Sequence, residues 1–194
     1  VRRCSLAVSL QSFPSLNSKQ YLWRPEAQML PRPDEQLLSW LLDPGSLTQR
    51  LKQMSQGQFN VKVVEEGWQQ HCAPSLLQCF PPHVVQSRMW SRKVVLRCGE
   101  TPWVAAHSLI PISSMEGPLK RLRRLNERPL GEFLFRDPHL LRVQLEIVRS
   151  GPVWGRRSLF ISQHKPLLVA EFFLPALLEE DAQRLLANKP RPNV

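Results

Sequence analysis

The chain is poor in cysteine, tyrosine and glycine, and it lacks any long apolar run. Its 194 residues hold four cysteines, one tyrosine and eight glycines. The cysteines (Cys4, Cys72, Cys79, Cys98) are scattered, with no C-x-x-C pair. That excludes a disulfide framework and fits free thiols in a reducing cytosol. Cys72 and Cys79 sit near His71 and His83, but the spacing matches no common zinc site, so no metal is expected. No run approaches the roughly 18 apolar residues that cross a bilayer. Arg2-Arg3 and the short patch to Leu10 make only a weak signal-peptide pattern, so the chain reads as cytoplasmic. Phosphate loops, dinucleotide fingerprints, nucleophile elbows and H-E-x-x-H are all missing, and five scattered histidines suggest no triad. No cofactor is expected.

Acidic residues are also scarce. There are 16 against 26 basic ones, giving a net charge of +10. That favours an anionic partner, whether nucleic acid, acidic lipid or a small polyanionic metabolite. The run Lys120-Arg121-Leu122-Arg123-Arg124 could be a nucleic-acid patch, but it reads better as the solvated face of an amphipathic helix. No nucleic-acid motif supports the sharper view, and neither a nucleic-acid partner nor a membrane span is expected.

What is present reads as a single α+β domain. Residues 1–32 carry several prolines and no period, as an irregular arm that packs late or not at all. A helix from Asp34 carries the stripe Leu37, Leu38, Leu41 and Leu42, and Asp43-Pro44-Gly45 ends it. Ser46 caps a second helix from Leu47 to Ser55, whose free backbone amides could meet an anion. Alternation predicts strands near 59–66, 89–98, 102–110, 141–149, 156–162 and 166–174. Leu119, Leu122 and Leu125 suggest a helix over 115–126, and 176–187 a terminal helix before a frayed tail. Short connections between successive strands imply an antiparallel sheet.

Two charges break these patterns. Glu171 shares a strand face with Leu167, Val169 and Phe173; Arg92 shares one with Trp90, Val94 and Leu96. A charge on an apolar face is costly unless it is met by an opposite charge or a donor. One reading is a buried Arg92–Glu171 pair that orders the core. The other is a closed pocket in which Arg92 grips a ligand carboxylate and Glu171 addresses another part of that ligand. In Trp154-Gly155-Arg156-Arg157 an arginine could also approach the anion, with Arg157 the next candidate and a surface or sheet-edge role for at least one of the pair.

The segments Trp40-Leu41-Leu42, Gly45-Ser46-Leu47-Thr48, Trp90-Ser91-Arg92, Pro129-Leu130-Gly131-Glu132-Phe133, Trp154-Gly155-Arg156-Arg157-Ser158 and Lys165 to Pro175 occur in order. Together they resemble the bacterial chorismate pyruvate-lyase family, which makes 4-hydroxybenzoate for ubiquinone. The resemblance covers roughly residues 34–176. It implies a six-stranded antiparallel sheet with helical flaps over a buried site, a lyase-like domain over 33–176, and a terminal helix and tail over 177–194. It implies activity on chorismate without metal or organic cofactor, by a monomer. By the same resemblance, Arg92 holds the ligand carboxylate, Glu171 the ligand hydroxyl, and Leu47 and Leu130 make contacts from the flaps. The family often has Met at the position of Leu47. A second class shares the fold: non-catalytic effector-binding domains of transcription regulators.

Overall fold

Six stretches rich in β-branched, aromatic and leucine residues form one antiparallel sheet in the computed structural model, which describes residues 21–70, 78–84 and 88–187. The strands are β1 (Phe59–Gln69), β2 (Met89–Cys98), β3 (Thr101–Pro111), β4 (Leu141–Ser150), β5 (Val153–Ser162) and β6 (Lys165–Phe173), in the spatial order β1-β2-β3-β6-β5-β4. Two three-stranded meanders therefore meet where β3 pairs with β6. Each tight turn is two residues long: Gly99-Glu100 between β2 and β3, Gly151-Pro152 between β4 and β5, and Gln163-His164 between β5 and β6.

One face of the sheet carries the helices. Asp34 caps α1 (Glu35–Leu41), its carboxylate accepting from the Leu37 amide at 2.8 Å. Ser46 caps α2 (Leu47–Ser55). Leu37, Trp40, Leu41, Leu47 and Leu51 bury against Val94, Leu96 and Phe173 of the sheet. The β3–β4 connection crosses the same face and contains α3 (Leu130–Leu134). The terminal helix α4 (Pro175–Ala187) is tied to α1 through Asp181, which accepts from the Trp40 indole at 2.9 Å.

The expected helix over 115–126 is instead a 3-10 helix, Gly117–Arg124. Leu119, Leu122 and Leu125 recur every third residue with no i+4 partner, which is the 3-10 repeat, and all three are buried. The opposite face of the sheet is covered partly by the end of the N-terminal arm. Tyr21 and Trp23 stack against Phe172 at 5.4 and 5.8 Å, and Arg24 exchanges backbone hydrogen bonds with Ile147. That part of the arm is packed, contrary to the sequence reading, through these ring contacts and the backbone bridge. His71 and Cys72 of the zinc pattern lie outside the described residues, as does Cys4. Among the described residues no cluster of three metal-ligating side chains occurs, and no helix is long and apolar enough to cross a membrane.

Candidate active site

The helix-bearing face of the sheet gathers an unusual number of charges. Arg92 is 2% exposed and Arg156 1% exposed. Arg92, Arg142, Arg156 and Glu171 all line one cavity. Leu47 and Leu130, the first residues of α2 and α3, line it too. So the four residues singled out from sequence, Arg92, Glu171, Leu47 and Leu130, come together at one cavity.

The pairing differs from the expected one. Arg92 and Glu171 are not partners. Glu171 stands opposite Arg156 in the β5–β6 register, and Arg156 Nε donates to Glu171 Oε2 at 2.6 Å. The Nη1 of Arg156 donates to the carbonyls of Trp40 and Asp43 at 3.0 and 2.9 Å. Arg156 therefore ties the glutamate to the turn that leads into α2. A charge pair this buried is costly to desolvate, and the extra carbonyl acceptors offset part of that cost.

Arg92 instead faces Glu66, its opposite residue on β1, with Nε 3.3 Å from Glu66 Oε2. Its Nη2 donates to the carbonyls of Asn126 and Arg128 in the β3–β4 connection. Burial pulls the Arg92 guanidinium below its ordinary proton affinity, and Glu66 partly restores it. Nη1 of Arg92 and Oε1 of Glu171 have no protein hydrogen-bond partner among the described residues. A donor and an acceptor are thus left at two points of the cavity. Arg92 and Glu171 are two strands and two residues apart, since Arg92 faces Ser108 and Glu171 faces Ala106 on β3. Strand spacing and rise put their Cα atoms about 12 Å apart.

Two β-bulges bring further charges to this face. In β1 the register shifts between Val63 and Glu65, so the inward series Val61, Val63 continues as Glu66 and Trp68. In β4 it shifts between Arg142 and Gln144, which places Arg142 opposite Phe160 and turns it into the cavity. Simple alternation put Leu141 and Val143 inward; they are 59% and 54% exposed. Arg142 Nη1 donates to the Asp43 carbonyl at 2.8 Å, the acceptor that Arg156 also uses. Its Nε is buried without a partner. Burial and then the nearby Arg156 charge lower the Arg142 proton affinity.

Arg157, the sequence's reserve candidate, points to the other face, where it pairs with Glu146 at 2.7 Å and stacks over Trp23. Neither arginine of the pair lies at the surface. The pairing of Arg156 with Glu171 was missed although a signal existed. A two-residue turn at Gln163-His164 pairs Ser162 with Lys165, and counting back along both strands pairs Arg156 with Glu171. Glu66 and Arg142 had no such signal, because a single extra residue inverts the phase without marking the sequence.

The cover over the cavity is closely fitted. Gly131 of α3 abuts Thr48 of α2, and a Cβ there would lie 2.7 Å from Thr48 Oγ1. Lys52 and Glu132 form an ion pair across the same seam.

Fold and site define the class: an α+β domain with an arginine-lined cavity between one sheet face and the helices packed on it. The chain belongs to the chorismate lyase family, whose sequence pattern matches residues 17–183. It is 38% identical over 148 residues to the chorismate pyruvate-lyases of Shigella sonnei strain Ss046 and Escherichia coli O9:H4 strain HS, covering 76% of this chain and 87% of each relative. Among solved structures, a possible transcriptional regulator, YydK from Bacillus subtilis, aligns with a TM-score of 0.43 at 8% identity, over 62% of this chain and 60% of that one. The ligand-binding domain of a GntR-family regulator from Bordetella bronchiseptica aligns at 0.41 and 11%, over 60% and 86%. Likeness that slight carries no argument.

Proposed function

We propose that this cavity converts chorismate to 4-hydroxybenzoate and pyruvate, the first committed step of ubiquinone biosynthesis. The observation that carries the reading is the pair of open polar atoms, Arg92 Nη1 and Glu171 Oε1, in one covered cavity of a chorismate lyase-family chain. Arg92 takes the ring carboxylate, and its fixed Nε and Nη2 contacts leave Nη1 oriented for it. Glu171 accepts the hydroxyl at the other end of the ring. The Leu47 amide and the Leu47 and Leu130 side chains close over the ring from α2 and α3.

Chorismate carries a second carboxylate on its enolpyruvyl arm. Arg142, with its unpartnered buried Nε, is the group for it. The elimination breaks the C3–O bond to the arm and the C4–H bond, and the ring becomes aromatic. The C4 proton ends on the methylene carbon of the departing enolpyruvyl unit, which makes pyruvate. The step is downhill, so the protein's task is to hold one conformer with the breaking bonds aligned and water excluded. Glu171 fixes the C4 hydroxyl and so the C4–H direction; Arg156 holds Glu171. The proton can pass directly within the substrate or by way of Glu171.

In this reading the enzyme acts as a monomer. Cys98 is a free thiol, which suits the cytoplasm. Incubation with chorismate should yield 4-hydroxybenzoate and pyruvate in equal amounts. Binding of chorismate without turnover would sink the lyase reading and favour an effector-binding domain.

A further inference from the structure

A second groove, of about 510 Å³, opens along the β3–β4 connection and shares no lining residue with the active cavity. Four arginines from three segments border it: Arg121 and Arg124 of the 3-10 helix, Arg128 of the following turn, and Arg136 just beyond α3. Residues three apart eclipse on a 3-10 helix, so Arg121 and Arg124 stand on one side. All four are exposed. Among the described residues none lies within ion-pairing distance of a carboxylate. The acidic side chain of the groove, Asp137, is already occupied by the Ser162 hydroxyl and the His139 amide, at 2.7 and 2.9 Å. The floor is apolar, formed by Leu119, Leu125 and the half-buried Phe133.

Like charges crowded around a groove repel one another, and an anion relieves that repulsion. A single carboxylate would neutralise one of the four arginines. We propose that this groove binds an anion bearing two or more phosphate groups, each gripped by the forked donors of an arginine. The same phosphate chemistry can come from a free polyphosphate-type ligand or from adjacent phospholipid headgroups. Arg128 links the groove to the active cavity. Its side chain borders the groove, and its carbonyl accepts from Arg92 Nη2 at 3.2 Å. An anion held by Arg124 and Arg128 would fix the turn that orients Arg92. This coupling rests on the assignment of the substrate carboxylate to Arg92; the binding itself does not.

The test is a calorimetric titration with tripolyphosphate at constant ionic strength, using the wild type, Arg92→Ala, and the triple variant Arg121→Ala/Arg124→Ala/Arg136→Ala. Sedimentation with phosphatidylglycerol or phosphatidylcholine vesicles runs in parallel. The triple variant changes exposed side chains only and should keep its phosphate-free turnover. Tripolyphosphate should bind the wild type and Arg92→Ala alike, and the triple variant at least tenfold more weakly. It should shift the KM for chorismate in the wild type and not in the triple variant. Sedimentation with phosphatidylglycerol alone, lost in the triple variant, would support the site and assign its phosphates to lipid. Failure to bind in both arms, or equal binding by wild type and triple variant, would overturn the proposal. So would binding that is lost in Arg92→Ala and kept in the triple variant, because the anion would then sit in the active cavity. Binding with an unshifted KM would overturn the coupling through Arg128. The heat of binding does not depend on turnover, so failure of the lyase reading would be seen separately.

Discussion

Glu171→Gln tests whether one carboxylate serves both the ligand and the fold. The change keeps the side chain's shape and removes the charge that meets Arg156 at 2.6 Å. Removing one partner of a buried pair costs about 3–5 kcal/mol, chiefly through the charge left behind. Arg156 retains the carbonyls of Trp40 and Asp43, so the lower end, about 3 kcal/mol, is expected. Urea unfolding would read this as a lower midpoint at unchanged slope. Turnover should fall about 10²–10⁴-fold if Glu171 moves the proton, and nearer tenfold if it only orients the hydroxyl. The double variant Glu171→Gln/Arg156→Met separates the two roles. Removing the stranded charge should recover most of the lost stability, and turnover should stay low. Two results would refute the reasoning: a double variant no more stable than Glu171→Gln, or full lyase activity in a folded Glu171→Gln protein.

Other variants test other parts of the account. Arg92→Ala should weaken 4-hydroxybenzoate binding by about 2–5 kcal/mol in a titration, with Arg92→Lys recovering only part because an ammonium lacks the fork. Arg142→Gln should raise the KM for chorismate by about 10- to 100-fold, the range for a lost charged hydrogen bond, while leaving 4-hydroxybenzoate affinity nearly unchanged, since the product lacks the second carboxylate. Buried His107, beside the Ser91 hydroxyl and within the field of Lys93, has its pKa lowered from 6.5 to about 3 by burial first. The folded state keeps it neutral while the unfolded chain takes up a proton, so its contribution is complete above pH 6.5 and is lost as pH falls from there toward 3. The slope is about 1.4 kcal/mol per pH unit, and His107→Gln should flatten the acid limb of the stability curve relative to wild type. Trp23→Ala should cost about 2 kcal/mol in urea unfolding, less than a fully buried tryptophan because Trp23 is half-buried. An unchanged midpoint would mean that the arm adds nothing to the fold.

Much of this architecture follows from local pattern. Alternation located all six strands, and Gly99 marked the turn between the second and third. Arg92 and Glu171 stood out because each interrupts an apolar face, and both do line the cavity. Their partners were not legible, because a partner is a matter of register. The bulges in β1 and β4 insert one residue each and reverse which side chains face inward, so Glu66 and Arg142 read as solvent-facing. The arm was read as loose because it has no period. Its end packs through two aromatic side chains and one backbone bridge, contacts that need no periodic stripe. The 3-10 helix was misread for a simpler reason: a leucine every third residue approximates one face of an α-helix over only two turns.

A crystal structure of the protein with 4-hydroxybenzoate bound tests the central claim most directly. The account predicts the ring in the cavity beneath Leu47 and Leu130, its carboxylate on Arg92 Nη1 and its hydroxyl on Glu171 Oε1, with the Arg156–Glu171 pair intact. A ring bound in the reverse sense, with its carboxylate on Arg142 and Arg156, or one bound outside this cavity, would contradict it.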